Sequence, residues 1–192
     1  MDRIIVDIDN TLWDLAPVLY ARMREVNPDL PPPAKWDSWD FWLPYVSPKQ
    51  AYTVIDRIHL EQEHFSPYAD AAWFLTSLKE RGFHVIVASH RQRGALEPTA
   101  RWLRKNSLSH DEIHLSHDKT IIVDTCGGIV DDSPVTLAKA SDAGIVRAGL
   151  RNPWNEREDY PLFDSLAEIL RYLEGQERGR LDGGVPNRKA ED

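Results

Sequence analysis

The sequence predicts an α/β fold that contains a mainly parallel sheet and a small helical cap inserted after the first strand. Short apolar runs rich in β-branched residues alternate with segments of helical periodicity, as expected for parallel strands joined by crossover helices. The stretch between Asp9 and Phe83 is far longer than a single crossover needs. We therefore expect this stretch to hold the additional helical unit.

Continuous apolar runs mark the candidate strands, because strands buried on both faces of a parallel sheet lack polar alternation. The run at 121–123 is too short for its periodicity to distinguish a strand from a helix. The predicted strands are residues 3–8, 83–88, 113–115, 128–130 and 145–148.

Helical periodicity and end signals mark six helices. Gly82 and Gly144 stand where glycine is favoured after a helix. Ser133 followed by Pro134 is a favourable N-cap and first-turn pair. The predicted helices are residues 15–26, 48–64, 69–81, 95–105, 134–143 and 165–174.

These elements divide the chain into a core, a cap and a tail. Residues 1–13 and 66–174 are expected to form the α/β core, and residues 14–65 the helical cap. Residues 175–192 are polar and glycine-rich, and we expect them to form a mobile tail.

Charge and composition narrow the class of protein. The net charge of −8 argues against nucleic acid, whose phosphate backbone is bound by clustered lysine and arginine. Cys126 is the single cysteine, so an internal disulfide is excluded. The sequence has no secretory signal pattern and no run of ~18–20 apolar residues. We expect a cytoplasmic protein without membrane contact, and its oligomeric state stays open.

Polar residues gather where the predicted strands end. In an open parallel sheet, ligands bind outside the carboxyl ends of the strands. Clustered carboxylates repel one another unless a cation neutralises them, and an all-oxygen ligand set suits Mg²⁺. A lysine and a hydroxyl would add hydrogen-bond donors for a phosphoryl group. The candidate residues are Asp7, Asp9, Ser89, His90, Arg91, Lys119, Asp131 and Asp132.

Taken in order along the chain, these residues resemble the four motifs of the haloacid dehalogenase superfamily. The resemblance covers roughly residues 3–170 and implies a Rossmann-like parallel sheet core. The matches are Asp7-x-Asp9-x-Thr11 for the first motif, Ser89 for the second, Lys119 for the third and Asp131-Asp132 for the acidic fourth.

The resemblance implies a Mg²⁺-dependent phosphatase that forms an aspartyl-phosphate. Asp7 would be the nucleophile, and Asp9 would protonate the leaving oxygen and then activate water. Within this superfamily, a second aspartate at the position of Asp9 is characteristic of the phosphatases. Ser89, the backbone at His90 and Lys119 would bind phosphate. The metal ligands would be Asp7, the backbone carbonyl of Asp9, and Asp132, with Asp131 as a further ligand or a partner of Lys119.

The chain is more narrowly similar to the 5′(3′)-deoxyribonucleotidase group. That similarity implies that cap aromatics help to bind the base, with Trp39 and Trp42 as candidates, although these side chains could equally form the core of the cap. Arg91 is a candidate for substrate contact, with solvated surface as the alternative. Asn10 replaces the glycine of many relatives, and asparagine tolerates unusual backbone angles. The matching stretches are residues 65–91, 115–119, 130–134 and 152–155.

The expected function is a nucleotidase acting on (deoxy)nucleoside monophosphates. The first alternative is a phosphatase for a sugar phosphate, a phosphoprotein or a nucleic-acid 3′ phosphate, and a cap over the site favours a small phosphate monoester. A receiver-type signalling domain is disfavoured, because its acid pair and its phosphorylated aspartate lie on different strands, whereas Asp7 and Asp9 share one. A binding module without catalysis is the remaining alternative, and the intact motif set argues against it.

Overall fold

A six-stranded sheet, parallel throughout, forms the centre of the molecule in the computed structural model, which describes residues 2–116 and 119–182. The strand order is β3-β2-β1-β4-β5-β6. This confirms the predicted α/β class with a parallel sheet. The strands are β1 (Arg3–Val6), β2 (His84–Ser89), β3 (Glu112–Leu115), β4 (Gly128–Val130), β5 (Val146–Leu150) and β6 (Leu162–Phe163).

Six helices and four short 3-10 turns connect or cover these strands within the described residues. The helices are α1 (Leu15–Val26), α2 (Pro48–Leu60), α3 (Ala71–Glu80), α4 (Leu96–Lys105), α5 (Pro134–Asp142) and α6 (Leu166–Asp182). The 3-10 turns are Pro33–Lys35, Gln62–His64, Arg93–Ala95 and Lys119–Thr125. None of the helices among the described residues has the length and apolar character to cross a membrane.

The structure differs from the predicted elements at a few places. The predicted helix 48–64 ends at Leu60, and the segment 121–123 lies in a 3-10 turn. The strand β6 was not predicted. Helix α6 continues to Asp182, past the predicted end at 174, so the first residues of the predicted tail are helical.

Strand β1 lies between β2 and β4, which fixes the position of the candidate site. Ile5 is paired with Ile86 on one side and with Ile129 on the other. The amide of Asp7 continues the ladder past the strand end by donating to the carbonyl of Val130 at 2.9 Å. The residues that follow β1 therefore lie in the middle of the carboxyl edge, flanked by the ends of β2 and β4.

The chain between β1 and α3 forms a helical unit, here called the inserted segment (residues 14–65). Its two ends are held together, because Trp13 stacks on Phe65 with ring centroids 4.8 Å apart. The amide of Tyr68 donates to the carbonyl of Leu12 at 2.8 Å, and the indole of Trp102 donates to the carbonyl of Phe65 at 2.7 Å. Helices α1 and α2 pack on each other within the segment.

Gly149 on β5 is required by close packing behind the candidate site. A Cβ atom there would lie 2.4 Å from the backbone oxygen of Asp131 and 3.2 Å from the side chain of Leu137. We expect Gly149→Ala to lower the free energy of unfolding by ~1–3 kcal/mol, because backbone atoms cannot move aside cheaply. Urea unfolding measures this, with Gly94→Ala as the control, since a Cβ atom at Gly94 meets nothing within 4 Å. Equal stability of the two variants would contradict the prediction.

Candidate active site

Three buried carboxylates meet at the carboxyl edge of the sheet. Asp7 follows β1, and Asp131 and Asp132 follow β4; each offers a carboxylate oxygen within 4.8 Å of the others. Their side chains are buried, with relative exposures of 2%, 0% and 2%. Such a group is electrostatically unfavourable unless a cation binds to it, and its oxygen ligands suit Mg²⁺. These residues therefore fit the metal that the sequence predicts.

Asp132 is held from two sides. The amide nitrogen Nδ2 of Asn10 donates to Oδ2 of Asp132 at 3.0 Å, and Nδ2 of Asn155 donates to the backbone oxygen of Asp132 at 3.0 Å. Asn10 has a φ of 53°, in the left-handed region, and its Oδ1 accepts from the amide of Ala16 at 3.0 Å. Asparagine thus adopts the unusual backbone angle and also adds a contact with Asp132 that glycine cannot make.

The carboxylate of Asp9 lies in a separate network of donors. Its Oδ1 accepts from Nη2 of Arg91 at 2.7 Å and from the indole of Trp13 at 2.9 Å. Its Oδ2 accepts from the hydroxyl of Ser89 at 3.0 Å, and Nε2 of His59 lies 3.2 Å from the same oxygen. Asp9 is not a member of the three-carboxylate group.

Opposing effects act on the pKa of Asp9. Burial raises it, but the charge of Arg91, the charge and hydrogen bond of His59, and the indole of Trp13 lower it. The net result is a pKa well below the usual range for aspartate. Without a substrate, this environment therefore favours the ionised carboxylate.

Arg91 is completely buried, so the structure does not support the predicted substrate contact. Its side chain is 0% exposed and does not line the cavity. Besides Asp9, its guanidinium donates to the hydroxyl of Ser89 at 3.1 Å and to that of Thr99 on α4 at 2.9 Å. Arg91 therefore positions Asp9 and Ser89 from behind.

A cavity of about 530 Å³ opens over these residues, within the size range of small-molecule sites. Trp36, 1% exposed, stacks on Phe41 with ring centroids 3.7 Å apart and forms part of the wall. The core of the fold contributes Asp7, Asp9, Ser89, His90, Asp132 and Trp154 to the lining. The inserted segment contributes an aromatic wall formed by Trp36, Trp39, Phe41, Trp42 and Tyr52.

Most of the predicted site residues meet at this cavity. His90 is an exposed residue of its rim, and Trp39, 39% exposed, lines it together with the partly buried Trp42. Lys119 begins a 3-10 turn, and its side chain lies outside the described part of the structure. The sequence did not indicate His59 as a site residue, although its spacing from Tyr52 places both on one face of α2.

Several solved structures that are described as haloacid dehalogenase-like hydrolases share this fold. A haloacid dehalogenase-like family hydrolase from Streptococcus pneumoniae is 14% identical, with a TM-score of 0.62 over 90% of this chain and 98% of the other. A HAD family hydrolase from Deinococcus radiodurans, with bound phosphate and sodium, is 16% identical, with a TM-score of 0.60 over 92% and 96%. The chain has the haloacid dehalogenase-like hydrolase fold.

A further structure with the haloacid dehalogenase-like fold comes from Haemophilus somnus and is described as a predicted phosphoglycolate phosphatase. It is 17% identical, with a TM-score of 0.60 over 90% of this chain and 98% of the other. No protein-family model matches the sequence, and no curated protein matches it. The structural likeness therefore shows the fold alone.

Proposed function

We propose that the protein is a Mg²⁺-dependent phosphomonoesterase that works through an aspartyl-phosphate on Asp7. The observation that carries this proposal is the separation of the carboxylates into two environments. Asp7, Asp131 and Asp132 form a buried group of oxygen ligands of the kind that Mg²⁺ prefers, whereas Asp9 lies in a network of donors at the same cavity. A nucleophile beside a metal and a separate acid–base group are what hydrolysis through a phosphoenzyme requires.

In the first half of the proposed reaction, a carboxylate oxygen of Asp7 attacks the phosphorus, and the bond to the leaving oxygen breaks. Asp9 gives its proton to that oxygen. In the second half, Asp9 takes a proton from water, the resulting hydroxide attacks the phosphorus, and the bond to Asp7 breaks. The lowered pKa of Asp9 keeps its carboxylate ionised, which is the form that accepts a proton in the second half. A bound phosphate dianion raises the pKa of a neighbouring carboxyl, which suits the first half.

Asp7, Asp131, Asp132 and the backbone carbonyl of Asp9 are the proposed ligands of Mg²⁺. When bound, the metal supplies positive charge that lowers the repulsion between a phosphate dianion and an attacking carboxylate. Ser89 is a proposed donor to phosphate, and its position in the cavity lining supports this role. Its hydroxyl, which here donates to Asp9, would turn to the phosphate when a substrate binds. Lys119 is the second proposed donor, on the strength of the motif resemblance alone.

The proposed substrates are (deoxy)nucleoside monophosphates. The aromatic wall supports this proposal, since Trp39 and Trp42 line the cavity and aromatic rings are suited to packing against a base. The second candidate is another small phosphate ester, and the description of the Haemophilus somnus protein favours it.

Phosphate release tests the activity and its substrates together. We expect release from a panel of nucleoside 5′- and 3′-monophosphates, sugar phosphates, phosphoglycolate and p-nitrophenyl phosphate to require Mg²⁺ and to stop with a chelator or in Asp7→Asn. Highest turnover of nucleotides would support the nucleotidase proposal. Turnover confined to sugar phosphates or phosphoglycolate would reject the nucleotidase proposal but would still support a phosphatase. No release from any ester by the folded protein would overturn both.

Asn10→Gly tests the support of the metal site. Glycine keeps the left-handed backbone of Asn10 but loses the amide donor to Asp132, so we expect half-maximal activity to require ~10-fold more Mg²⁺. Mg²⁺ titration of phosphate release measures this. Ser107→Gly is the matched control, because Ser107 also has a positive φ, of 54°, and does not line the cavity. The same Mg²⁺ requirement in both variants would contradict the prediction.

A further inference from the structure

One face of helix α2 runs along the cavity. Tyr52, Ile55, Asp56 and His59 all line it, at the three- and four-residue spacing of one helical face. His59 lies against Asp9, and seven residues of helix place Tyr52 ~10 Å further along the axis. On the proposed mechanism, the phosphate of a substrate would bind near Asp9 and His59, and its leaving group would extend along this helix face past Asp56 toward Tyr52.

The part of the cavity that the inserted segment lines carries negative charge. Asp40 and Asp56 both line the cavity, and neither carboxylate forms an ion pair or a side-chain hydrogen bond with another residue in the described part of the chain. Asp40 is exposed and Asp56 is partly buried. Within the side chains that the structure describes, which exclude that of Lys119, no lysine or arginine lines the cavity.

This combination of walls and charges distinguishes between leaving groups. The aromatic side chains favour a flat apolar group, and they also attract a cation placed over a ring. A second carboxylate or phosphate on the substrate would face two acidic side chains, with no described lysine or arginine in the lining to offset the repulsion. Ammonium and amino groups would instead find acceptors there.

Resting on the proposed phosphatase function, we propose that Asp40 and Asp56 of the inserted segment select substrates by the charge of the leaving group. The cavity selects phosphate esters whose leaving group is flat and either neutral or positively charged, and Asp40 and Asp56 reject leaving groups that carry a second anion. This extends the proposed function, because it states the charge of the preferred leaving group and the two residues that discriminate by charge.

Three synthetic esters isolate this effect. They are 2-arylethyl phosphates with a methyl, an aminomethyl or a carboxylate group at the para position, so the leaving alcohols differ in charge at a remote point. We expect kcat/KM for the carboxylate ester to be roughly tenfold lower than for the other two. In the double variant Asp40→Asn/Asp56→Asn, the difference should fall to about twofold. Asp37→Asn is the matched control, because this exposed residue precedes the same turn and does not line the cavity.

Equal kcat/KM values for the three esters, or a carboxylate penalty that is unchanged in the double variant, would overturn the inference and leave the phosphatase intact. If no ester is hydrolysed, the proposed activity fails, and calorimetric binding of the three matching phosphonates still decides the inference. Tenfold weaker binding of the carboxylate phosphonate, relieved in the double variant, would support it. Equal binding of all three would overturn it.

Discussion

Replacing Asp9 by asparagine should lower the rate of phosphate release by ~10²–10⁴, the usual contribution of a general acid–base group. The amide has nearly the shape of the carboxylate, but it can neither give a proton to the leaving oxygen nor take one from water. Steady-state release from the best substrate of the panel, with saturating Mg²⁺, measures this loss. Acid quenching with ³²P-labelled substrate then shows whether a phosphoenzyme accumulates.

Two controls separate the loss of chemistry from the loss of fold. Asp37→Asn makes the same charge change in the inserted segment, away from the cavity, and should keep full activity. Thermal unfolding of Asp9→Asn reports any destabilisation caused by the altered contact with Arg91. Unchanged turnover in Asp9→Asn would reject the acid–base role of Asp9.

Replacing Arg91 by methionine should lower the free energy of unfolding by ~3–5 kcal/mol, because removing one member of a buried ion pair leaves the other charge uncompensated. Here the remaining charge is that of Asp9, and the hydroxyls of Ser89 and Thr99 also lose the guanidinium donor. Urea unfolding measures the change.

Arg93→Met is the matched control for this experiment, since Arg93 is exposed and its change should stay within ~0.5 kcal/mol. Arg91→Lys adds a second comparison: it keeps the charge but lacks the planar fork that contacts three groups at once. We expect its stability to lie between those of the native protein and Arg91→Met. A stability of Arg91→Met equal to that of Arg93→Met would show that the buried network contributes little.

The sequence predicts the fold well where an element is long or carries end signals. Helix α1 and strand β4 have the predicted bounds, because an apolar face defines the first and glycine and aspartate flank the second. Strand β6 has two residues, Leu162 and Phe163, which are too few to show any periodicity. The continuation of α6 to Asp182 contradicts the composition of that stretch, whose glycine and polar residues disfavour a helix.

The sequence predicts the position of a candidate site residue when that residue directly follows a predicted strand. Strand ends bring Asp7, Asp131 and Asp132 to one edge, and the sequence shows those ends. The contact between Asn10 and Asp132 joins residues 122 positions apart, and no local pattern reveals it. The burial of Arg91 is equally hidden, because an arginine after a strand is more often solvated.

The central position of β1 also governs how the molecule folds during synthesis. Although β1 is made early, its partner residues on β2 and β4 begin at His84 and Gly128. At ~5–20 residues per second, the ribosome needs on the order of ten seconds to supply both. During that interval the apolar strand Arg3–Val6 has no sheet to join, and its pairing has a high contact order. We therefore expect the early helices of the inserted segment to form before this strand finds its partners.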